Sequence, residues 1–508
     1  MNSQNHSRKL PLSAHIFLLT ALVLVAVLAG CAAGPDFKRP VPPVVTGYTS
    51  AALPGVTVAS PGLHGNPQQL VSAPVPVEWW KELRSDKLTR LIDQALQASP
   101  TLAAAQATLR QAQEGYAAQA GSSLYPQVDA NLSGQRQHSN SAALGQTGDA
   151  RVFNLYNASV GVHYNLDLAG GNRRALEALA AQVDYQRFQL EGAGLTLAAN
   201  IATTAITQAQ LASQVAATQA ILLAQETQLE ITHQRLALGQ ASQDDLLALQ
   251  TQVEQTRASI PPLRNKLEQT HHLLAVLAGH APGAGPPPSF ILDDFTLPTD
   301  LPLLVPSELV RQRPDIQAAE ALLHAANAEY GVAVSRLYPQ VALSANLGSQ
   351  ALTTASLFGS GSLAWGLVGQ LTQPLFNPGL PAEKRAALAA FDAAAAKYQQ
   401  TVLEALRNVA DVLRALDNDA QTLAAQAAAD ASAQASLKSI QRQYALGAAS
   451  YLQLLTAQQQ AQQTGIPLIA AKAQRLVDSA ALYQSMGGGV LNAEALVGQA
   501  PAPEPSLD

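Results

Sequence analysis

The chain has a single cysteine in 508 residues, only 5% aromatic residues and only 13% charged ones. One thiol excludes a disulfide framework. An apolar half built largely of alanine, with so few rings, suits long, closely packed helices better than a broad globular core. The formal net charge is −6 and the basic residues form no stripe, so a nucleic-acid partner is not expected. Beyond Gly30 no window reaches the ~18 continuous apolar residues that a membrane-spanning helix needs. Catalytic chemistry is equally thin. No nucleophile, base and orienting group stand in a usable pattern, so the chain is not expected to be an enzyme. His271 and His272 are helix neighbours that face different ways, a poor metal pair. Gly359, Gly361 and Gly366 precede a strand, the wrong order for a phosphate loop.

Proline is also missing, from Arg173 to Leu238, and what fills that stretch organises the chain. Apolar positions recur at helical spacing through Leu190, Leu197 and Ile201 and again through Leu229, Leu236 and Ala237, which predicts one uninterrupted helix. About 66 residues at 1.5 Å each give a rod of roughly 100 Å. Gly239 follows Leu238 where a helix ends on a left-handed residue. Ser242 and Asp245 then form an S-x-x-D capping box that starts a second helix, so the chain reverses in a tight turn. The device recurs. Arg235-Leu-Ala-Leu-Gly239-Gln-Ala-Ser242 resembles Gln443-Tyr-Ala-Leu-Gly447-Ala-Ala-Ser450, and 447 − 239 = 208. Leu124-Tyr-Pro-Gln-Val128 recurs as Leu337-Tyr-Pro-Gln-Val341, and 337 − 124 = 213. Two motifs at nearly one offset mean an internal duplication, too long for a solenoid repeat.

The N-terminus locates the protein. Arg8 and Lys9 precede the apolar run Ile16 to Leu28, which ends in Leu28-Ala29-Gly30-Cys31. A charged start, a short apolar run and small residues before the cut make residues 1–30 a signal peptide. The L-A-G-C ending resembles a bacterial lipobox, which implies a covalent lipid on Cys31 as the one attached group. Ala32 after the cysteine implies sorting to the outer membrane. Residues 31–78 are expected to run as an extended strap from that anchor.

Helices are expected near Leu83 to Ser99 and from Thr101 to about Gly121. From Tyr125 the period changes to two. Val128, Ala130 and Leu132 alternate with Gln127, Asp129 and Asn131, and Phe153 to Leu168 alternates again. The second half repeats this at Val341, Leu343, Ala345 and Leu347, with a return strand over Leu363 to Phe376. Tyr125, Phe153, Tyr156, Tyr164, Tyr338, Phe358, Trp365 and Phe376 gather around these strands, as in membrane-interface belts. The return helix after Ser242 and the helix before the first strand, end to end, match the long helix in length. Pro261-Pro262 and Pro467 should interrupt and bend the return helices. Residues 79–285 and 303–487 thus form two structural repeats, joined by a Pro-rich connector at 286–302 and followed by a tail at 488–508. Four strands per chain cannot close a barrel, and an open sheet cannot stand in lipid. Three chains would supply twelve strands.

Trp79-Trp80-Lys-Glu-Leu83, Arg313-Pro314-Asp315-Ile316 followed by Ala319-Glu320, both LYPQV strands and both L-G-x-x-S turns resemble the TolC-like outer-membrane efflux lipoproteins. The resemblance implies an α+β membrane protein: a homotrimer with a twelve-stranded outer-membrane β-barrel continued by a twelve-helix periplasmic α-barrel. It implies a passive exit duct of a tripartite efflux pump, with a periplasmic adaptor and an inner-membrane RND or ABC transporter as partners and outer-membrane lipid around the barrel. Leu238, Gly239, Ser242, Leu446, Gly447 and Ser450 then become adaptor contacts at the helix tips. Asp244, Asp245, Tyr444, Gln453 and Thr456 become the periplasmic gate. Asp245 matches an aspartate that ties neighbouring helices, and Tyr444 a tyrosine of the same network. Ala449 stands where the completing arginine is found, and Gln453 and Thr456 where a ring of carboxylates is common. A type I protein-secretion duct is the alternative within transport, and a structural envelope tether the alternative of another class. The alternating strands count against the tether, which has no use for them.

Overall fold

The computed structural model describes residues 32–139, 151–285 and 288–488. The signal peptide and Cys31 lie outside the described residues, as does nearly all of the 488–508 tail. Contacts divide the chain into two compact units. The first takes the described residues of Met1–Arg39, Arg110–Tyr185 and Ala319–Tyr398; the second takes those of Pro40–Leu109, Gln186–Ala318 and Gln399–Asp508.

In the first unit, β2 (Gln127–Ser139), β3 (Arg151–Leu166), β5 (Gln340–Ala351) and β6 (Leu363–Thr372) form one antiparallel sheet in the order β2-β3-β5-β6. Its register explains the period of two. Val128, Val162, Ala345 and Leu367 line up across the four strands, and Ala130, Val160, Leu347 and Trp365 form another row of the same face. The opposite face carries Asp129, Gly161, Asn346 and Gly366 in one row and Asn131, Ser159, Gly348 and Ala364 in another. In a water-soluble sheet the apolar face would be covered. Here Val128, Leu132, Val160, Leu347, Trp365 and Leu367 are all exposed, the polarity of a barrel wall that meets lipid outside and water inside. Tyr125, Tyr338 and Phe376, flanking the strands, are exposed as well. Strands β2 and β6 are edges with no further partner among the described residues, so one chain leaves its sheet open.

The strap begins in this unit. Ala33 donates its amide to Ala169 O at 2.8 Å, while the buried Arg174 donates to Ala33 O and to Asp36 Oδ1 at 3.1 and 2.7 Å. Phe37 stacks on His324 with ring centres 4.3 Å apart.

The helices are α1 (Asp86–Ala98), α2 (Pro100–Leu124), α3 (Gly171–Ala237), α4 (Gln243–Leu277), α5 (Pro306–Gln312), α6 (Pro314–Ser335), α7 (Gly379–Ala445) and α8 (Tyr451–Ser485). The two long helices are 67 residues each and the two return helices 35 each, as an internal duplication demands. On α3, Ala198, Ala202, Ala205 and Ala209 are fully buried, which lets neighbouring backbones approach closely. Thr203, Thr207, Ser213, Thr218, Thr227 and Thr232 each donate to the carbonyl four residues back, so these hydroxyls are satisfied within the helix itself. Helix α4 continues through Pro261 and Pro262, and α8 through Pro467, so the prolines do not interrupt the return helices. None of the described helices is long and apolar enough to cross a membrane.

The W-W and R-P-D-I motifs of the sequence are structural anchors of the second unit. Trp79 and Trp80 are fully buried, and Trp79 stacks on Tyr483 at 5.6 Å. Arg313 forks onto both carboxylate oxygens of Asp315 and donates to Ser485 O at 2.7 Å, tying the start of α6 to the end of α8. Strap and connector also meet there: β1 (Gln69–Val71) pairs in parallel with β4 (Asp300–Pro302), a two-stranded ribbon that neither stretch announced by alternation.

Candidate functional site at the helix turns

Each hairpin reverses through the same hydrogen bonds. Gln240 N donates to Arg235 O at 2.8 Å and Gly239 N to Leu236 O at 2.9 Å; in the second copy Ala448 N donates to Gln443 O at 2.8 Å and Gly447 N to Tyr444 O at 3.0 Å. This paired pattern is the Schellman closure of a helix, and it needs a left-handed residue in fifth place. Gly239 has φ +72° and Gly447 φ +74°. No other atom lies within 4 Å of where a Cβ would stand on either, so these glycines are required by backbone angle and not by crowding.

Both return helices start with a complete capping box. Ser242 Oγ accepts from Asp245 N at 3.1 Å, and Asp245 Oδ2 accepts from Ser242 N at 3.2 Å and from Ser242 Oγ at 2.7 Å. In the second copy Gln453 N donates to Ser450 Oγ at 3.3 Å and Ser450 N donates to Gln453 Oε1 at 2.7 Å. Asp245 and Gln453 therefore share one local role in this chain, that of the third helical residue reaching back to the cap. Thr456 Oγ1 donates to Leu452 O at 2.8 Å, and Asp244 is exposed in the first turn of α4. Leu238 and Leu446, at the two turns, are 72% and 84% exposed. Each tip thus presents an apolar knob beside a glycine.

The hairpins are joined through Tyr444, which the sequence reading placed at the gate, and through Arg235 and Tyr451, which it did not. The guanidinium of Arg235 sits 4.9 Å from the centre of the Tyr444 ring, and Tyr444 packs on Tyr451 with centres 6.2 Å apart. The Tyr451 hydroxyl is buried without a hydrogen-bond partner, and its phenol is pushed above the ordinary value by that burial, then by Tyr444 and by the charge of Asp245. So an arginine does stand at the Tyr444 site, but it comes from the end of α3 and not from position 449. The signal was available. At the offset of 208, Arg235 pairs with Gln443, Tyr444 with Leu236 and Tyr451 with Gln243, so all three break the internal repeat in or beside the recurring turn.

A second cluster also escaped notice. Arg475 on α8 is 1% exposed and grips the strap, donating to His64 O, Asn66 O, Thr57 Oγ1 and Gln68 Oε1 at 2.8 to 3.2 Å. Beside it, burial and the neighbouring carboxylate of Asp419 push Asp478 up to about 7. No group of metal-binding side chains forms among the described residues.

The model of the outer membrane efflux protein family matches residues 91–280 and again residues 305–488. Outer membrane protein OprJ of Pseudomonas aeruginosa is 28% identical to this chain over 93% of it and 96% of the relative. The toluene efflux pump outer membrane protein TtgC of Pseudomonas putida is 29% identical over 93% and 95%. The probable outer membrane lipoprotein SilC of Salmonella typhimurium is 26% identical over 93% and 98%. Among solved structures, the outer-membrane channel OprN is similar with a TM-score of 0.81 at 26% identity, covering 90% of this chain and 99% of that one. The open MtrE channel of Neisseria gonorrhoeae follows at 0.78 and 25%, covering 91% and 99%. The chain therefore has the fold of the trimeric outer-membrane channels, with a β domain and a helical tunnel, and it is an outer-membrane protein. The open four-stranded sheet is completed by two further copies.

Proposed function

This chain belongs to the outer membrane efflux protein family, and from that premise we propose that it is the passive exit duct of a tripartite pump, gated at its helix turns. Drugs or other small toxic compounds leave the periplasm through it. The observation that carries this reading is the pair of matching tips, each with a left-handed glycine, a capping box and an exposed leucine, joined by Arg235 on Tyr444.

Leu238, Gly239 and Ser242 with Leu446, Gly447 and Ser450 seat the periplasmic adaptor. The glycines keep the approach free of side chains and the leucines supply apolar contact. Asp244, Asp245, Tyr444, Gln453 and Thr456 form the gate, to which Arg235 and Tyr451 are added. With an amide and a hydroxyl at 453 and 456, the mouth lacks a carboxylate ring at those positions, so any strong cation selectivity there rests on Asp244. Cys31 carries the covalent lipid, and no other cofactor is assigned. An inner-membrane transporter, RND or ABC in class, supplies the energy. The names of relatives such as the toluene and antibiotic efflux proteins of Pseudomonas putida favour small toxic cargo over secreted protein.

The test pairs cells with purified channel. Deleting the gene should raise intracellular accumulation of a hydrophobic dye, and the purified trimer in a planar bilayer should conduct little at rest. Unchanged accumulation would count against efflux of small molecules, and a high resting conductance would count against the gate.

A further inference from the structure

One seam between the repeats is closed within the chain and its counterpart is open. Strand β3 pairs with β5, where α3 leaves β3 and α6 enters β5. At the free edges α7 leaves β6 and α2 enters β2, and closing the barrel with further copies brings β6 of one subunit to β2 of the next. The pair formed by α3 and α6 inside the chain therefore recurs as α7 with the α2 of a neighbour.

Burial fixes the correspondence. Along α3 and α7 the offset is 208, as at the turns, and it matches the buried Ile201 with Val409 and Ala205 with Leu413. Along α2 and α6 it is 214, matching Pro100 with Pro314, the buried Leu109 with Leu323, and Tyr116 with Tyr330. In the closed seam Ala178 and Ala181 of α3 and Ala325 and Ala328 of α6 are buried. Their counterparts Ala386, Ala389, Gln111 and Glu114 are all exposed.

The closed seam also supplies the register. A Cβ on Gly171 would stand 2.5 Å from Ser335 Oγ and one on Gly331 2.9 Å from Arg174 Cγ, so the two helices are antiparallel, with 171 level with 335 and 174 level with 331. Three residues on, 177 is level with 328, and Glu177 reaches one turn further to His324 at 2.8 Å. The counterparts of 177 and 328 are Arg385 (385 − 177 = 208) and Glu114 (328 − 114 = 214), which are opposite in charge. Asp392 lies about 10 Å further along α7 and Arg110 about 6 Å back along α2, a difference that an arginine side chain spans. All four are exposed, and none is paired with a described residue.

We infer that the face of α7 bearing Arg385 and Asp392 seats the α2 helix of a second copy, with Arg385 on Glu114 of the partner subunit and Asp392 on Arg110 of the partner subunit. Only the antiparallel approach joins opposite charges, and it is the direction that the strand order imposes; a parallel approach would set like charges together. The closed seam is also held by the strap on Arg174, whose counterpart is Ala382 (382 − 174 = 208), so the ion pairs take the place of that grip. The inference rests on the trimeric fold and goes beyond the exit-duct reading, since neither gate nor cargo enters it.

Full-length trimer in detergent is the material for the test. The double variant Glu114→Cys, Arg385→Cys, oxidised with copper phenanthroline, should run on a non-reducing denaturing gel as covalent dimers and trimers, because its two thiols meet across chains, and neither single variant should do so. Monomers alone from an oxidised double variant that was trimeric before denaturation would overturn the inference. Arg385→Glu should lower severalfold the fraction of trimer that survives mild heating in dodecyl sulfate, and adding Glu114→Arg should restore it. A double swap no more resistant than Arg385→Glu would overturn the pairing, as would an Arg385→Glu trimer as resistant as the wild type.

Discussion

The Arg235 guanidinium lies 4.9 Å from the centre of the Tyr444 ring, so a residue from the last turn of one long helix is stacked on a residue from the last turn of the other. The two helices are copies by duplication, but this contact is not, because neither residue has its like in the other copy. A cation over a ring is worth about 0.5–1 kcal/mol when partly exposed. Arg235→Ala should therefore shift the closed-to-open balance about two- to fivefold toward open, read as raised conductance of the purified channel. Tyr444→Phe keeps the ring and should leave conductance near wild type, whereas Tyr444→Ala should match Arg235→Ala. Wild-type conductance in both alanine variants would remove this pair from the gate.

Gly447→Trp addresses the adaptor seat. A side chain at φ +74° costs about 1–2 kcal/mol, too little to unfold a 67-residue helix packed along its length. The space around position 447 is open, so the bulk projects outward to where a partner would sit. Trimers should reach the membrane in normal amount while efflux in cells fails. Normal efflux with that variant would refute the seat.

Asp478 sets a pH dependence. Its folded value, about 7, lies above the ordinary value of 3.8, raised by burial and then by Asp419, with Gln474 and Arg475 opposing. The folded chain thus holds a proton that the unfolded chain has released between those two values, and stability falls as pH rises through that window. Below it the penalty is absent; above about 7 it is complete. The wild-type trimer should melt lower at pH 8 than at pH 5, and Asp478→Asn should flatten the difference. An undiminished pH slope in Asp478→Asn would assign the effect to other groups.

Cys31→Ser tests the anchor, a position outside the described residues. It should abolish acyl labelling and lower recovery in the outer-membrane fraction, and the retained strap contacts of Ala33 and Asp36 with Arg174 should still dock the segment in assembled trimers. Labelling that persists in the variant would exclude this site.

Much of the fold was legible because its signals are local. The turns at Gly239 and Gly447 follow from a left-handed glycine and a serine three residues on, and the structure places both with the expected hydrogen bonds. The four strands followed from alternation alone, with ends displaced by a few residues where Leu168 and Phe376 continue the pattern past the last ladder pair. Pro261, Pro262 and Pro467 misled because a missing N–H is judged locally, whereas a helix packed along its length continues through it.

Composition and periodicity by themselves determined the duplication, the long hairpins, the sheet with an apolar outer face and the need for other chains to close it. All of these rest on spacing along one segment. Only the tertiary structure decided which residues meet from distant segments: Arg235 with Tyr444, Arg475 with the strap carbonyls, Asp478 with Asp419, and the ribbon of β1 with β4. Those contacts depend on how separate helices and connectors are placed in space, and no periodicity along the chain encodes that placement.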